Sequence, residues 1–183
     1  GLGTSVCNLK YIQAAPIGGF VRIVLLGLPG AGKGTQAQML SHRLGVAHVA
    51  SGDLFRHYQL QGTELGLLVA SYMERGELVP NQVTIQITLD RLGWEDCGRG
   101  FILDGFPRTV EQAEALDSAL GEQELKCVVH LKISHEELVR RLSGRLVCRR
   151  CQTPYHLEYA PPQVEDQCDR CGDELYQRKD DRP

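Results

Sequence analysis

The sequence predicts an α/β fold with a parallel sheet, and three observations support this prediction. Four short apolar runs, at residues 21–26, 46–50, 100–104 and 127–133, have the composition of buried strands. Each run precedes a stretch that we predict to contain a helix, and strands that alternate with helices form parallel sheets. The hydrophobic content of 42% is enough for a core, and 183 residues suit one compact domain with a small insertion.

The overall charge and hydropathy exclude two classes of partner. A net charge of −3 and a pI near 6.1 argue against a protein built to bind nucleic acid. No apolar run approaches the roughly 20 residues that span a bilayer, so we expect no membrane partner. Residues 1–20 fit poorly with the rest, and we interpret them as a disordered leader, a cloning remnant or the edge of a fragment.

The first strand, residues 21–26, leads into a glycine-rich loop at residues 27–35, where the pattern G-x-x-x-x-G-K ends at Lys33. Glycines let backbone N–H groups converge on phosphate oxygens, and the N-terminus of the following helix adds a partial positive charge. Lys33 supplies an ammonium group for the phosphates. The alternative is a flexible glycine loop, but its place between a strand and a helix favours phosphate binding.

The loop departs from the usual pattern directly after its lysine, where Gly34 stands in place of a hydroxyl residue that would bind Mg²⁺. We therefore expect the metal to be held by nucleotide phosphates, water and an acid elsewhere. Asp104, at the end of the strand 100–104, is the candidate because ligands gather at the carboxyl ends of parallel strands. The alternative is an aspartate that caps a helix or a turn.

The second strand, residues 46–50, is followed by Ser51 and Asp53, either of which could cap a helix that begins at Leu54. Arg56 lies near the start of that helix, as a surface residue or as a phosphate clamp. Residues 62–66 contain two glycines and predict a break between helices.

After this break we predict a short helix at 67–75, ended by Gly and Pro at 76–80. Asn81 or Thr84 then begins a helix that runs to about residue 92.

Two polar side chains follow the third strand, which spans residues 100–104. Arg108 comes directly after Pro107, which predicts a side chain aimed at a phosphate. Gln112 lies in the first turn of a helix predicted at 109–120, where it could contact the edge of a base or be exposed.

The fourth strand, residues 127–133, precedes a helix that Ser134 caps, with Glu137 three residues later as a capping box. This helix runs to about Ser143 and ends in a basic cluster at residues 140–145.

Four of the seven cysteines form two C-x-x-C pairs separated by sixteen residues, the spacing of a zinc ribbon. The pairs are Cys148 with Cys151 and Cys168 with Cys171. All four thiolates would occupy the metal, so we expect a structural zinc ion, although iron also takes four thiolates. The remaining cysteines, at 7, 97 and 127, are expected to be free thiols in a reducing cytoplasm.

Residues 177–181 follow the ribbon. Arg178 can point at an anionic ligand, and the aspartates at 180 and 181 cap a helix or pair with the basic cluster before the ribbon.

Five features follow one another along the chain. They are the phosphate-binding loop, then Ser51-Gly52-Asp53 with Arg56, then Asp104 to Arg108, then the ribbon, and last Arg178 to Asp181. Together they resemble adenylate kinases, in the bacterial form with a long, zinc-bearing lid. The resemblance implies a P-loop NTPase-like three-layer fold and the Mg²⁺-dependent reaction of ATP with AMP to give two ADP. It implies a core at 21–49 and 80–144, an AMP-binding helical insertion at 50–79 and a zinc lid at 145–181, all within a kinase domain at 21–183.

The resemblance also implies a role for individual residues. The catalytic residues are Lys33, Arg108, Arg145 and Arg178. ATP is bound by Gly30, Ala31, Gly32, Lys33, Gly34, Thr35, Arg141, Arg145, Pro154 and Tyr155. AMP is bound by Ser51, Arg56, Glu77, Leu78, Val79, Gly105, Phe106, Pro107, Arg108, Gln112 and Arg178.

Three alternatives stay open at this point. The chain could be another nucleoside monophosphate kinase that uses GTP as donor or UMP or CMP as acceptor. It could be a zinc-ribbon module that binds nucleic acid or protein. Members of the family continue past the aspartate pair with a second lid arginine, a strand and two helices, so we expect a C-terminally incomplete chain or an inactive remnant. The family resemblance implies a monomer.

Overall fold

The computed structural model describes residues 20–75, 77–122, 125–178 and 181. The predicted leader therefore lies outside the described residues, apart from Phe20. The chain divides into two compact units, one formed by residues up to 27 and by 32–131, the other by 28–31 and 132–183. Within the described residues, no helix combines the length and the apolar character that crossing a membrane would need.

The first unit is built on a sheet of four parallel strands, β1 (Val21–Leu26), β2 (Ala47–Ala50), β3 (Gly100–Asp104) and β4 (Cys127–His130). Their order is β2-β3-β1-β4, so β1 and β3 are neighbours in the middle. The register pairs Leu25 with Asp104, and Ala50 with Asp104 on the other side. The carboxyl ends of β1, β2 and β3 therefore meet at one edge. The fourth strand ends at His130 and is shorter than the predicted run to residue 133.

Helices cover both faces of this sheet. They are α1 (Lys33–Leu44), α2 (Ser51–Leu60), α3 (Glu64–Glu74), α4 (Asn81–Leu92) and α5 (Val110–Leu120), with a short 3₁₀ helix at Glu95–Arg99. Alternating residues of β1 point to opposite faces, as strand geometry requires. Ile23 and Leu25 pack in the cluster that includes Ala37 of α1, whereas Val24 packs in the cluster that includes Val69. The predicted three-layer α/β fold is confirmed.

The predicted start of α2 is wrong by three residues. The helix begins at Ser51, and its N-cap is Ala50, which makes no side-chain capping bond. Ser51 does not cap because its hydroxyl donates a hydrogen bond to the carbonyl oxygen of Gly105 at 2.9 Å. Asp53 does not cap either, since its carboxylate pairs with Arg56 one turn later. A tertiary contact with Gly105 thus holds the Ser51 hydroxyl, and an ion pair within α2 holds the Asp53 carboxylate.

The predicted break at residues 62–66 is also partly wrong, because α3 begins at Glu64 and Gly66 lies in its first turn. Thr63 is the N-cap, and its hydroxyl accepts from the Gly66 N–H at 3.1 Å. A Cβ atom at Gly66 would lie 2.1 Å from the carbonyl oxygen of Tyr58 in α2. The glycine therefore permits close helix packing and does not interrupt the helix.

The described residues of the second unit form helix α6 (His135–Ser143) and a small antiparallel sheet. Helix α6 has Ser134 as its N-cap, whose hydroxyl accepts from the Glu137 N–H, as predicted. Strands β5 (Arg145–Cys148), β6 (Pro154–His156) and β7 (Leu175–Tyr176) follow in the order β6-β5-β7. A Cβ atom at Gly30 would lie 3.0 Å from the Leu142 side chain, which explains why residues 28–31 group with this unit.

Candidate functional site: phosphate-binding loop, acceptor cleft and cysteine cluster

The glycine-rich loop connects β1 to α1 with a backbone that only glycines adopt easily. Gly27, Gly30 and Gly32 have φ values of 147°, 82° and 90°, and Gly32 is the N-cap of α1. Lys33 is the first residue of that helix and is half-buried, whereas Gly34 and Thr35 are exposed. The first turn of α1 therefore presents exposed backbone N–H groups at the carboxyl edge of the sheet, where an anion would bind.

Asp104 lies directly beside this helix start. A Cβ atom at Gly34 would be 3.3 Å from Asp104 Oδ2, so the glycine leaves the carboxylate open to the loop. The Asp104 side chain is 14% exposed, and the Nε2 atom of His48 lies 3.7 Å from its Oδ2. A carboxylate in such a place, with room in front of it, fits a hard cation held through water.

A second feature of the first unit is a small cleft after the end of β3. Predicted acceptor residues from four separate stretches of sequence line it together. Its lining consists of Ser51, Phe55, Leu78, Val79, Asn81, Thr84, Gly105, Arg108 and Gln112. Six of these were predicted from the sequence.

Gly105 lines this cleft and contacts two of the other lining side chains. Its φ of 80° turns the chain at the end of β3, and its carbonyl oxygen accepts from Ser51 Oγ at 2.9 Å and from Arg108 Nε at 2.8 Å. The Ser51 side chain is almost fully buried, whereas Arg108 is exposed. One carbonyl thus orients both side chains, and the rest of the Arg108 guanidinium is left at the cleft surface.

Gln112 is buried at 3% exposure, so the alternative that it is an exposed helix residue is wrong. Its Oε1 accepts from the Arg108 N–H at 2.8 Å, and its Nε2 donates to Asn81 Oδ1 at 2.8 Å. Asn81 Oδ1 also accepts from the Thr109 hydroxyl at 3.2 Å. The amide is therefore held at both ends within the cleft.

Four other predicted acceptor residues of the first unit are not part of the cleft lining, namely Arg56, Glu77, Phe106 and Pro107. Arg56, whose side chain is 20% exposed, pairs with the exposed Asp53. Glu77 accepts from Arg75 Nε at 2.9 Å. Phe106 is fully buried in the core, and its peptide bond to Pro107 is cis. Their roles in binding stay predictions.

The four cysteines of the second unit come together as the spacing predicted. Their sulfur atoms all lie within 4.8 Å of one another, with 3.4 Å between Cys148 and Cys171 and 3.5 Å between Cys151 and Cys168. Four sulfurs at Zn–S bonds of about 2.3 Å would be about 3.8 Å apart in a tetrahedron. This donor set fits a tetrahedral, fully coordinated zinc ion.

Tyr155 belongs to this cysteine cluster. Its hydroxyl lies 3.5 Å from Cys168 Sγ and accepts from the Asp169 N–H at 2.8 Å. Burial raises the pKa of the Cys168 thiol, but hydrogen bonds from Tyr155 and from backbone N–H groups outweigh it and lower that pKa to about 6. The hydrogen bond to Cys168, together with burial, raises the pKa of Tyr155 to about 12. The hydroxyl thus supports the thiolate form that a metal requires, and the predicted ATP contact of Tyr155 stays a prediction.

Two of the three arginines predicted in the second unit, Arg141 and Arg145, are paired with acids. Arg145 donates from Nε to Asp181 Oδ2 at 2.7 Å, and its Nη2 also contacts the buried Asp181 carboxylate. Of the two predicted roles for the terminal aspartates, pairing with the basic cluster is therefore confirmed for Asp181. Arg141 donates from Nε to Glu137 at 2.7 Å, one turn earlier in α6.

Four residues near the loop and the cleft were not predicted as site residues. Asn81 and Thr84 were recognised only as possible helix starts, whereas Phe55 and His48 were not singled out. Their neighbours in space are distant in sequence, and the local sequence around Asn81 and Thr84 indicated only the start of a helix.

A phosphate-binding loop on a parallel sheet, with an acid at the end of the adjacent strand and a polar cleft beyond that strand, defines a P-loop phosphotransferase. The sequence profile of the family described as adenylate kinase matches residues 25–181. The chain belongs to the adenylate kinase family and is a nucleoside monophosphate kinase.

Curated relatives agree with this assignment over most of the chain. The adenylate kinase of Methanocella arvoryzae is 52% identical over 164 residues, which are 88% of this chain and 76% of the relative. The adenylate kinase of Geobacillus sp. (strain WCH70) is 50% identical, with the same coverage of both chains. The adenylate kinase of Staphylococcus aureus (strain Mu50) is 48% identical over 165 residues, which are 89% of this chain and 77% of the relative.

Proposed function

We propose that this chain transfers a phosphoryl group reversibly between ATP and AMP and so forms two ADP. One observation carries the proposal: the phosphate-binding loop and the acceptor cleft begin at adjacent strand ends, since Leu25 of β1 pairs with Asp104 of β3. Donor and acceptor nucleotides bound at neighbouring strand ends would have their phosphates within reach of each other. Phosphoryl transfer needs such positioning and charge neutralisation more than covalent chemistry.

On the donor side, the loop and the start of α1 bind the phosphates of ATP through Gly30 to Thr35, and Lys33 neutralises charge on the transferred group. Asp104 holds Mg²⁺ through bound water, because Gly34 leaves its carboxylate open and supplies no hydroxyl ligand. The metal, which adenylate kinases use with ATP, would neutralise charge on the phosphate oxygens.

On the acceptor side, the cleft holds AMP. Arg108 is oriented by Gly105 and contacts the AMP phosphate, a position that matches a pre-aimed guanidinium. Ser51, Leu78 and Val79 line the nucleoside part of the cleft, and Gln112 contacts the base. Arg56, Glu77, Phe106 and Pro107 act around it, as the family resemblance implies.

In the second unit, the cysteine cluster holds a structural zinc ion that stiffens residues 145–181 as a lid. Arg141 and Arg145 contact ATP, with Pro154 and Tyr155 as weaker contacts, and Arg178 contacts the transferring phosphoryl group. A lid that excludes water prevents hydrolysis of ATP in place of transfer. We further propose a monomer that acts in the cytoplasm, where the thiols of Cys97 and Cys127 stay reduced.

A coupled assay of ADP formation tests this proposal. Each of ATP and GTP is offered as donor, and each of AMP, UMP and CMP as acceptor. We expect ATP with AMP to be the preferred pair and turnover to need Mg²⁺. Equal or better turnover with UMP or CMP would assign the chain to another nucleoside monophosphate kinase.

A further inference from the structure

The hydrogen bonds around Gln112 form a chain whose direction is set at both ends. At one end, the Gln112 oxygen faces the backbone N–H of Arg108, which can only donate. At the other end, Asn81 Nδ2 lies 2.6 Å from Glu111 Oε2, and a carboxylate can only accept. Between them, Gln112 Nε2 donates to Asn81 Oδ1. Each amide therefore has a single orientation that satisfies every bond in the chain.

This fixed orientation matters because an amide side chain is otherwise free to turn. A glutamine with no fixed partners exchanges its oxygen and its NH₂ group by a half-turn, and can then match either pattern on a base. Gln112 cannot do so: a half-turn would place its NH₂ against the Arg108 N–H and its oxygen against the Asn81 oxygen. Two donors would face each other in a buried place, and so would two acceptors.

The orientation leaves Gln112 with one N–H donor and one oxygen lone pair for a ligand. Adenine offers an acceptor at N1 and a donor at its 6-amino group, which matches this pair. Hypoxanthine has the same ring shape but offers a donor at N1 and an acceptor at O6, which opposes it. A site that holds a polar group in one orientation rejects the analogue with the opposite pattern.

We propose that Asn81 is a specificity-determining positioning residue, which selects AMP over IMP by holding the Gln112 amide in its adenine-binding orientation. The inference rests on the proposed function, because it takes the cleft to be the AMP site. Asn81 acts through its oxygen, and Glu111 acts through Asn81 by holding the nitrogen of that amide.

The test compares the affinities for AMP and IMP, measured by titration calorimetry, in the wild type and three variants. Asn81→Leu removes the acceptor that faces Gln112. Glu111→Lys puts a donor where the chain needs an acceptor, so Asn81 turns and presents its NH₂ to Gln112. We expect each to lower the ratio of AMP to IMP affinity about tenfold, the factor for one to two hydrogen bonds.

The third variant combines Asn81→Asp with Glu111→Lys and serves as the matched control. The aspartate again offers an oxygen to Gln112, and the lysine pairs with it, so we expect the wild-type ratio to return. Glu111 is exposed, so its replacement tests the inference even if Asn81→Leu fails to fold.

The possible outcomes separate the inference from the proposed function. A wild-type chain that prefers AMP, with a ratio unchanged in Glu111→Lys and in Asn81→Leu, would overturn the role of Asn81 alone. A double variant as unselective as Glu111→Lys would also overturn it. A wild-type chain with no preference for AMP over IMP would overturn the AMP assignment of the cleft as well.

Discussion

Replacing Gly105 by alanine should weaken both the fold and the acceptor cleft. The residue has a φ of 80°, and an added Cβ atom would lie 2.7 Å from Ser51 Oγ and 3.1 Å from Arg108 Nη2. The left-handed backbone costs about 1–2 kcal/mol for alanine. The buried Ser51 cannot swing away freely, so its hydrogen bond to Gly105 is lost as well, at about 1 kcal/mol. We expect the free energy of unfolding to fall by about 2–3 kcal/mol.

Gly45→Ala is the matched control for this variant. Gly45 also has a left-handed backbone, with a φ of 64°, but a Cβ atom there meets nothing within 4 Å. Urea unfolding should therefore show only the backbone cost of about 1–2 kcal/mol, and AMP affinity should equal that of the wild type. Gly105→Ala should also bind AMP at least tenfold more weakly, because both displaced side chains line the cleft. The reasoning is refuted if Gly105→Ala matches Gly45→Ala in both measurements.

Three further predictions concern the loop and the cysteine cluster. Lys33→Ala should lower turnover at least a hundredfold, because the transferred phosphate loses its positive partner. Its circular dichroism spectrum should stay unchanged, and nearly normal turnover would contradict the assignment of the loop. Tyr155→Phe should lower the affinity for zinc about tenfold, measured by competition with a chelator, because it removes the hydrogen bond to Cys168. Tyr159→Phe, which changes an exposed ring, should leave that affinity unchanged. Asp181→Asn should lower the free energy of unfolding by about 1–3 kcal/mol, because Arg145 loses its buried charged partner; an unchanged denaturation midpoint would show that this pair contributes little.

Local patterns predicted the elements whose residues depend mainly on their neighbours in sequence. The strand before the loop, the capped helix after Ser134 and the cysteine pairs all have short-range signals, namely β-branched apolar runs, a capping box and ligand spacing. The start of α2 at Ser51 and the course of α3 through Gly66 could not be predicted in this way. Both depend on partners far along the chain, the Gly105 carbonyl and the Tyr58 backbone.

The candidate site also contains residues that local sequence patterns predicted and residues that they did not. Asp104, Arg108 and Gln112 could be predicted as site residues because they lie at or after the end of a strand, at the ligand-binding edge of a parallel sheet. Asn81 was missed because its importance lies in the orientation of another amide, 31 residues later. Nothing in the local sequence around Asn81 encodes that contact.

The amino-acid sequence by itself determined the chemistry available to this protein: a glycine loop with Lys33 for phosphates, four thiols for a metal and arginines for anions. These are properties of residue type and short spacing, which survive in any conformation of the rest of the chain. Only the tertiary structure decided how the groups are oriented. The Gly105 carbonyl that aligns Ser51 with Arg108 and the one-way hydrogen-bond chain through Gln112 arise when distant segments pack, because a buried polar group must find its partner wherever the fold brings one.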